Sequence, residues 1–313
     1  MENENTSFFE HLVLLYYKYV CIDDPEQFAK DQRALCRELG LKGRVIVARE
    51  GINGTVSGPD EAAEAYREAL LQDPRFAGMP FKLSRGPANV FPKLSIKVRP
   101  EIVTLGVDLP FDPEEDSATH LPPSVWKRLA EEDPDAVVFD VRNDYESAVG
   151  RFRGAITPAM GNFRDLPEAL KKYGHLRGKK ILMYCTGGIR CEKASALFHR
   201  EGFRDVYQLD GGIMNYEKNL GAGDDLWEGD CFVFDERVVL PMATARGKTP
   251  IGRCAHSGRP SCNYVNCVHN PCNRLFLAAK EILSDNPDYR LCPDCLASGL
   301  SAETAKNKSR SLS

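Results

Sequence analysis

The segment Tyr184–Ala196, YCTGGIRCEKASA, sets a cysteine directly after a short apolar run, follows it with two glycines and an arginine, and then enters a helix-forming stretch. Its flanks alternate strand and helix signals. A helix near 123–132 precedes the strand AVVFDVR (136–142); after a turn come GAIT (154–157) and a helix near 166–173. The strand KILMYC (180–185), a helix over 190–201 and the short strand VYQLDGG (206–212) complete the block. Such alternation builds a parallel sheet with helices on both faces. Cys185 then stands at the carboxyl end of a strand and just before a helix, which is where open α/β sheets bind ligands.

A loop running from a strand end into a helix amino end aims several backbone N–H groups inward, and Gly187 and Gly188 clear side chains from that turn. Those donors and the helix dipole stabilise a thiolate, lower its pKa and make it a usable nucleophile at neutral pH. The competing reading is a small buried hydrophobe at a strand end. An inert cysteine of that kind would need neither glycine.

With 313 residues, two or three domains are expected. Hydrophobic residues at 42% and charged residues at 27% match an ordinary soluble globular chain. The start, MENENTSFFEHLVLLYYKYV, lacks a basic flank and a small-residue cleavage pattern, and no later apolar run is long enough to span a bilayer. A cytoplasmic protein without a membrane partner is expected.

Upstream, the first hundred residues carry a strand at 13–22, a helix opened by Asp23-Asp24-Pro25 and ended by Gly40, and a strand at 44–50. An Asn53-Gly54 hairpin turn, a returning strand GTVSG, a helix over 60–72 and a strand within 93–106 follow. Strand, helix, hairpin, helix, strand is the ferredoxin-like order, expected over residues 1–107. Acidic and proline-rich residues make 108–122 a linker. The α/β block occupies 123–225, and 226–313 forms a basic cysteine-rich end.

Four pieces occur in order: DVRNDYE (140–146), GRFRGAI (150–156), CTGGIRC (185–191) and LDGGI (209–213). Together they resemble a rhodanese domain. The resemblance implies that Cys185 is the nucleophile or persulfide carrier, with Thr186, Gly187, Gly188, Ile189 and Arg190 as its cradle. Asp140, Arg142 and Glu146 would be supporting polar residues. Phosphatases of this fold need C-x5-R, whereas Cys185 and Arg190 give C-x4-R, so phosphatase activity is disfavoured.

Adding AREGINGTVSG and KVRPEIVTLG in the first domain and NYVNCVHNPCNRLF in the tail, the whole chain resembles the tRNA uridine(34) hydroxylase family. That resemblance implies oxygen-dependent formation of 5-hydroxyuridine at the wobble position, with tRNA as substrate partner and molecular oxygen as co-substrate. A sulfur- or electron-donor protein would be a further partner. In chemical terms, thiolate addition at C6 of uracil makes C5 nucleophilic toward an electrophilic oxygen, with Cys185 either adding or delivering a sulfur-borne oxidant and Arg190 or Arg142 stabilising the developing charge. Cys191 is either a resolving thiol or a packed helix residue. The alternative is a persulfide-carrying sulfurtransferase with docking modules on either side; a non-catalytic adaptor sits poorly with the intact loop. No nucleotide-cofactor motif occurs, and the six histidines (11, 120, 175, 199, 256, 269) form no iron triad.

Eleven cysteines, six of them between 254 and 295, suit metal ligation or redox chemistry in a reducing compartment. Cys267-x4-Cys272 and Cys292-x2-Cys295 flank RLFLAAKEIL, read as a helix, and can close on one structural zinc ion. Cys254 and Cys262, with His256 or His269, would be parts of a second site; the tails of the family this chain resembles often carry more cysteines around this helix, whereas Ser257, Ala278 and Ala279 stand in that neighbourhood here. From Pro241 onward ten Lys and Arg face five Asp and Glu, so a +5 end is attached to a −9 body. Such asymmetry fits either a polyanionic partner or a solvated basic tail. Arg246, Lys248, Arg253, Arg259 and Arg274 around Tyr264, together with Arg44, Arg49, Lys97 and Arg99 in the first domain, are the candidate RNA contacts.

Overall fold

The structure is a computed structural model and describes residues 11–220, 226–243 and 248–304. Arg246 lies outside the described residues, as do both chain ends and the last residues of the 123–225 block.

The first domain runs β1 (His11–Tyr19), α1 (Pro25–Glu38), β2 (Lys42–Ala48), β3 (Gly51–Gly58), α2 (Asp60–Gln72), β4 (Phe81–Gly86) and β5 (Leu94–Val98). Its sheet order is β4-β1-β3-β2-β5. The first four positions are the ferredoxin-like arrangement. The fourth is filled by Phe81–Gly86, which the sequence pattern did not single out because FKLSRG is a half-exposed edge strand. The strand expected within 93–106 ends at Val98 and joins as a fifth member, parallel to β2. The hairpin turn also differs from expectation. Ala48 pairs with Gly51, so the chain reverses at Arg49-Glu50, and Asn53-Gly54 lies inside β3. Gly54 is opposite Tyr16, whose ring fills the space a side chain would need.

β1 shows why VLLYYKYV opens with five apolar and aromatic residues in a row. Leu12, Leu14 and Tyr16 point into the core under α1 and α2, while Val13, Leu15 and Tyr17 point the other way, toward the rest of the molecule. A strand covered on both faces loses the polar alternation of a half-solvated one.

The middle domain contains β6 (Thr119–Leu121), α3 (Pro123–Glu132), β7 (Ala136–Asp140), α4 (Asp144–Ser147), β8 (Gly150–Phe152), α5 (Leu166–Leu170), β9 (Lys180–Tyr184), α6 (Ile189–Arg200), β10 (Val206–Leu209) and α7 (Gly212–Leu220). Its parallel sheet is ordered β6-β10-β9-β7. β6 lies within the stretch read as a linker, and the helix read to 173 turns 3-10 from Lys171. One core, including Phe139, Met183, Leu197 and Phe198, fills the α5–α6 side. Another, built on Trp126, Phe152, Tyr184 and Tyr216, fills the α3–α7 side.

The end of the chain is anchored rather than separate. β11 (Trp227–Gly229) pairs antiparallel with β8, and β12 (Cys231–Phe232) pairs with β13 (Val239–Leu240). β14 (Tyr264–Asn266) pairs with β15 (Leu275–Leu277), ahead of α8 (Lys280–Asp285) and α9 (Pro293–Ala297). RLFLAAKEIL, expected as one helix, is therefore a strand followed by a helix. Its first half is spent in a two-stranded ladder that sets Cys267 and Cys272 on the connecting loop.

Candidate active site

Cys185 follows β9 and its loop delivers the chain into α6. The Gly188 amide donates to Cys185 Sγ at 3.1 Å. Burial alone would raise this thiol's pKa, but the Cys191 thiol beside it, the Arg190 charge and the amides of Arg190 and Gly188 outweigh burial and bring it down to about 5. Cys191 moves the opposite way. Burial and the neighbouring Cys185 push it well above the usual thiol range, so it remains protonated and serves as a donor to the thiolate. The loop is tied to α7 by the Ile213 amide on the Cys185 carbonyl at 3.0 Å and the Met214 amide on the Thr186 carbonyl at 3.1 Å, which gives the LDGGI segment its place.

Arg190 donates through both Nη atoms to Glu146, at 2.5 and 2.8 Å, and its Nη2 also reaches Thr186 Oγ1 at 3.4 Å. Arg142 forks onto Asp140, which also accepts from Tyr184 Oη at 2.6 Å, and donates to the Gly150 carbonyl at 2.7 Å. Asp140, Arg142 and Glu146 are all buried, and none of them lines the cleft above Cys185. The Asp140–Arg142 pair props the sheet behind the loop; Glu146 orients Arg190 under it.

The first domain forms the roof. The Leu15 side chain lies 3.1 Å from where a Gly187 Cβ would sit, and the Tyr17 hydroxyl 2.7 Å from that of Gly188, which also adopts φ +103°. The two glycines thus serve the turn and the close approach of a second domain. Tyr17 Oη donates to Glu192 Oε1 at 2.9 Å; the same oxygen meets His120 Nε2 at 3.0 Å, and Gln208 bonds the other oxygen at 3.0 Å. Burial opposes the Glu192 charge, yet His120 and Gln208 hold its carboxyl below the ordinary range, while the Glu192 bond raises His120. Next to it, buried Lys193 reaches Glu50 at 2.8 Å and Glu101 at 2.7 Å. Glu192 and Lys193, the residues just past CTGGIRC, are therefore the polar latch between the domains. Sequence reasoning missed them because Tyr17, His120, Glu50 and Glu101, which they bond, lie between 72 and 175 residues away.

Between roof and loop is a cleft of about 530 Å³. Tyr17, Arg44, Asn53 and Lys82 line it from the first domain, Asn143, Arg164, Cys185 and Arg190 from the middle one, and Phe234 and Arg237 from the β12–β13 connection. Cys185 is on its floor and fully buried. Phe234, at 48% exposure, holds its ring at the mouth, 5.8 Å from the Arg190 guanidinium.

The Sγ atoms of Cys267, Cys272, Cys292 and Cys295 all lie within 4.8 Å of one another, with Cys272 and Cys292 at 3.7 Å. A tetrahedral zinc with Zn–S near 2.3 Å needs sulfurs about 3.8 Å apart. The Cys292 amide donates to Cys267 Sγ at 3.3 Å, and His269 Nδ1 lies 3.4 Å from Cys295 Sγ. The four residues fit a metal ion. Among the described residues no second group of three or more metal-ligating side chains occurs. Cys262 instead donates to Asp230, and His256 bonds the Leu291 carbonyl.

Of the RNA-contact candidates, Arg44 lines the cleft and bonds the Phe234 carbonyl at 3.2 Å, and exposed Lys97 pairs in register with Ile46, another lining residue. Arg49 and Arg99 are exposed but not on the cleft. Lys248, Arg253 and Arg259 are exposed elsewhere on the tail, and Arg274 pairs with Asp294. Tyr264 is committed to the Tyr145 carbonyl and to an edge contact with Phe232. The exposed aromatic ring at the cleft is Phe234.

A loop thiolate between β9 and α6 of a parallel sheet defines a rhodanese-like protein, and residues 121–219 match the family described as the rhodanese-like domain. Residues 11–102 match the UPF0176 acylphosphatase like domain and 228–296 the rhodanase C-terminal family. Over 291 residues the chain is 46% identical to a tRNA uridine(34) hydroxylase of Shouchella clausii, covering 91% of this chain and 88% of that one. It is 45% identical over 284 residues to the protein of the same name from Bacillus pumilus, covering 90% and 87%. With such identity along nearly its full length, the chain belongs to the tRNA uridine(34) hydroxylase family.

Proposed function

We propose that this protein hydroxylates C5 of the wobble uridine of tRNA, with Cys185 as the sulfur nucleophile and dioxygen as co-substrate. The observation that carries this reading is an ionised cysteine on the floor of a two-domain cleft with amide, guanidinium and aromatic groups on its walls. Unpaired anticodon bases are recognised by such means, stacked on rings and bonded along their edges. Phe234 supplies the ring; Asn53, Asn143 and Arg44 supply edge partners; exposed Arg164 and Lys97 meet phosphates.

The ordinary C5 of uracil is a poor nucleophile. Sulfur addition at C6 converts the ring to an enolate whose C5 attacks an electrophilic oxygen, and loss of the C5 proton with release of sulfur restores the ring. One atom of dioxygen enters the base and the other leaves as water, so two electrons are drawn from an external reductant, the place for a donor protein. Arg190 reaches this chemistry through its charge on Cys185; Arg142, sealed against Asp140, supports it from behind. A zinc ion on Cys267, Cys272, Cys292 and Cys295 staples the end of the chain beside β12.

Mass spectrometry of nucleosides from tRNA treated with wild-type and Cys185→Ala protein tests the reading. 5-Hydroxyuridine only with wild type supports it. Sulfur transfer from thiosulfate with unmodified tRNA would replace it with the sulfurtransferase reading.

A further inference from the structure

An enolate needs a positive partner, and most cations around Cys185 are already taken. Arg190 is neutralised by Glu146, Arg142 by Asp140, and Arg237 by Asp235 at 2.6 Å, while Lys193 is held by two glutamates. Arg44 and Arg164 are exposed at the rim, where water screens them. Lys82 is different. It stands on β4 as the direct cross-strand partner of Leu15, the residue that touches Gly187, and it lines the same cleft as Cys185. Its Nζ lies 4.7 Å from the centre of the Tyr17 ring, whose hydroxyl caps Gly188. Asp210 and Glu192 act on it through space, but among the described residues no carboxylate or carbonyl bonds its ammonium. A half-buried cation with open donor positions, lining the same cleft as a thiolate, is built to meet charge that a ligand brings or develops.

Resting on the hydroxylase reading, we propose that Lys82 is the catalytic electrophile of the addition step, its ammonium donating to O4 of the target uracil. As the Cys185 S–C6 bond forms, the C5–C6 π pair moves into the ring and onto O4, where Lys82 meets the negative charge while keeping its proton. No oxidant takes part in this step. Burial lowers the Lys82 pKa against the pull of Cys185, which sharpens the ammonium as a donor. The roof domain thereby contributes a reacting-site group as well as a cover.

The step is reversible, so it is read without hydroxylation. In anaerobic D2O, an anticodon stem-loop RNA bearing the wobble uridine takes up deuterium at C5 when the enolate is deuterated and sulfur leaves again with loss of the original proton. We expect exchange with full-length wild type, none with Cys185→Ala, and a drop of about 100-fold or more with Lys82→Met, on the scale of losing one oxyanion donor. Lys82→Arg should recover part of it. RNA affinity should change less than about 10-fold.

Iodoacetamide labelling of Cys185 across pH separates this role from simple support of the thiolate. The Lys82→Met deficit should persist at a pH where labelling has reached its plateau. Unchanged exchange in Lys82→Met, or a deficit that vanishes once the thiolate is fully formed, overturns the proposal. Aerobic 5-hydroxyuridine formation without any wild-type exchange also overturns it while leaving the hydroxylase reading intact; absence of both products removes the two together.

Discussion

At the scale of single residues, two neighbouring thiols, Cys185 and Cys191, shift in opposite directions. The Cys185 pKa of about 5 means that its thiolate is complete by neutral pH, so alkylation should rise between about pH 4 and 6 and then level off. An ordinary cysteine would still be rising above pH 8. Cys191→Ala removes a donor to the thiolate and should move the midpoint upward by about one pH unit. A midpoint that stays put would deny Cys191 that role. Glu146 makes a separate demand: Glu146→Gln removes the carboxylate paired with buried Arg190 and leaves the Cys185 thiolate to balance it, at a cost of about 3 kcal/mol. Urea denaturation should show it as a lower midpoint with an unchanged slope.

Elements meet where loop, helix and roof strand are fitted to one another. A Gly187→Ala methyl would press on Leu15 of β1 at 3.1 Å. The substitution should weaken the seating of the first domain and speed alkylation of Cys185. Combining it with Leu15→Ala makes room, and thermal stability should recover relative to the sum of the single changes, a coupling that a double-mutant cycle measures. The helix α6 carries the fit further, since Glu192 and Lys193 near its amino end reach Tyr17, Glu50 and Glu101. Replacing Lys193 by Met should loosen the roof and broaden access to the sulfur, read as faster reaction with a bulky maleimide.

For the whole molecule, three segments close on one cleft and a cysteine cluster fastens the last of them. Metal analysis should find one zinc per chain. Cys272→Ser or Cys292→Ser should lose it and lower the melting temperature, with Cys185 alkylation little changed if the cluster is a staple remote from the chemistry. RNA binding belongs to this scale as well. Removing a cation proposed to meet phosphate, Arg164 or Lys97, should reduce the salt dependence of tRNA binding by about one counterion. A slope equal to wild type would exclude that residue. Among the described residues no helix is long and apolar enough to cross a membrane.

Much of this molecule was legible as a one-dimensional pattern. The alternation around CTGGIRC, the two glycines, the Cys-x4-Cys and Cys-x2-Cys pairs and the first-domain order all follow from local rules, because strand periodicity, turn geometry and ligand spacing are properties of neighbouring residues. The linker that contains β6, the edge strand at 81–86, the true turn at Arg49-Glu50 and the strand inside RLFLAAKEIL were hidden, since each depends on a partner far along the chain. The site divides the same way. Sequence alone singled out Cys185, the loop that follows it and four candidate metal ligands. Only the tertiary structure decided that Arg142 faces away, that Phe234 rather than Tyr264 is the open ring, and that a roof strand brings Tyr17 and Lys82 over Cys185, because charge pairing and burial are set by which surfaces meet in space.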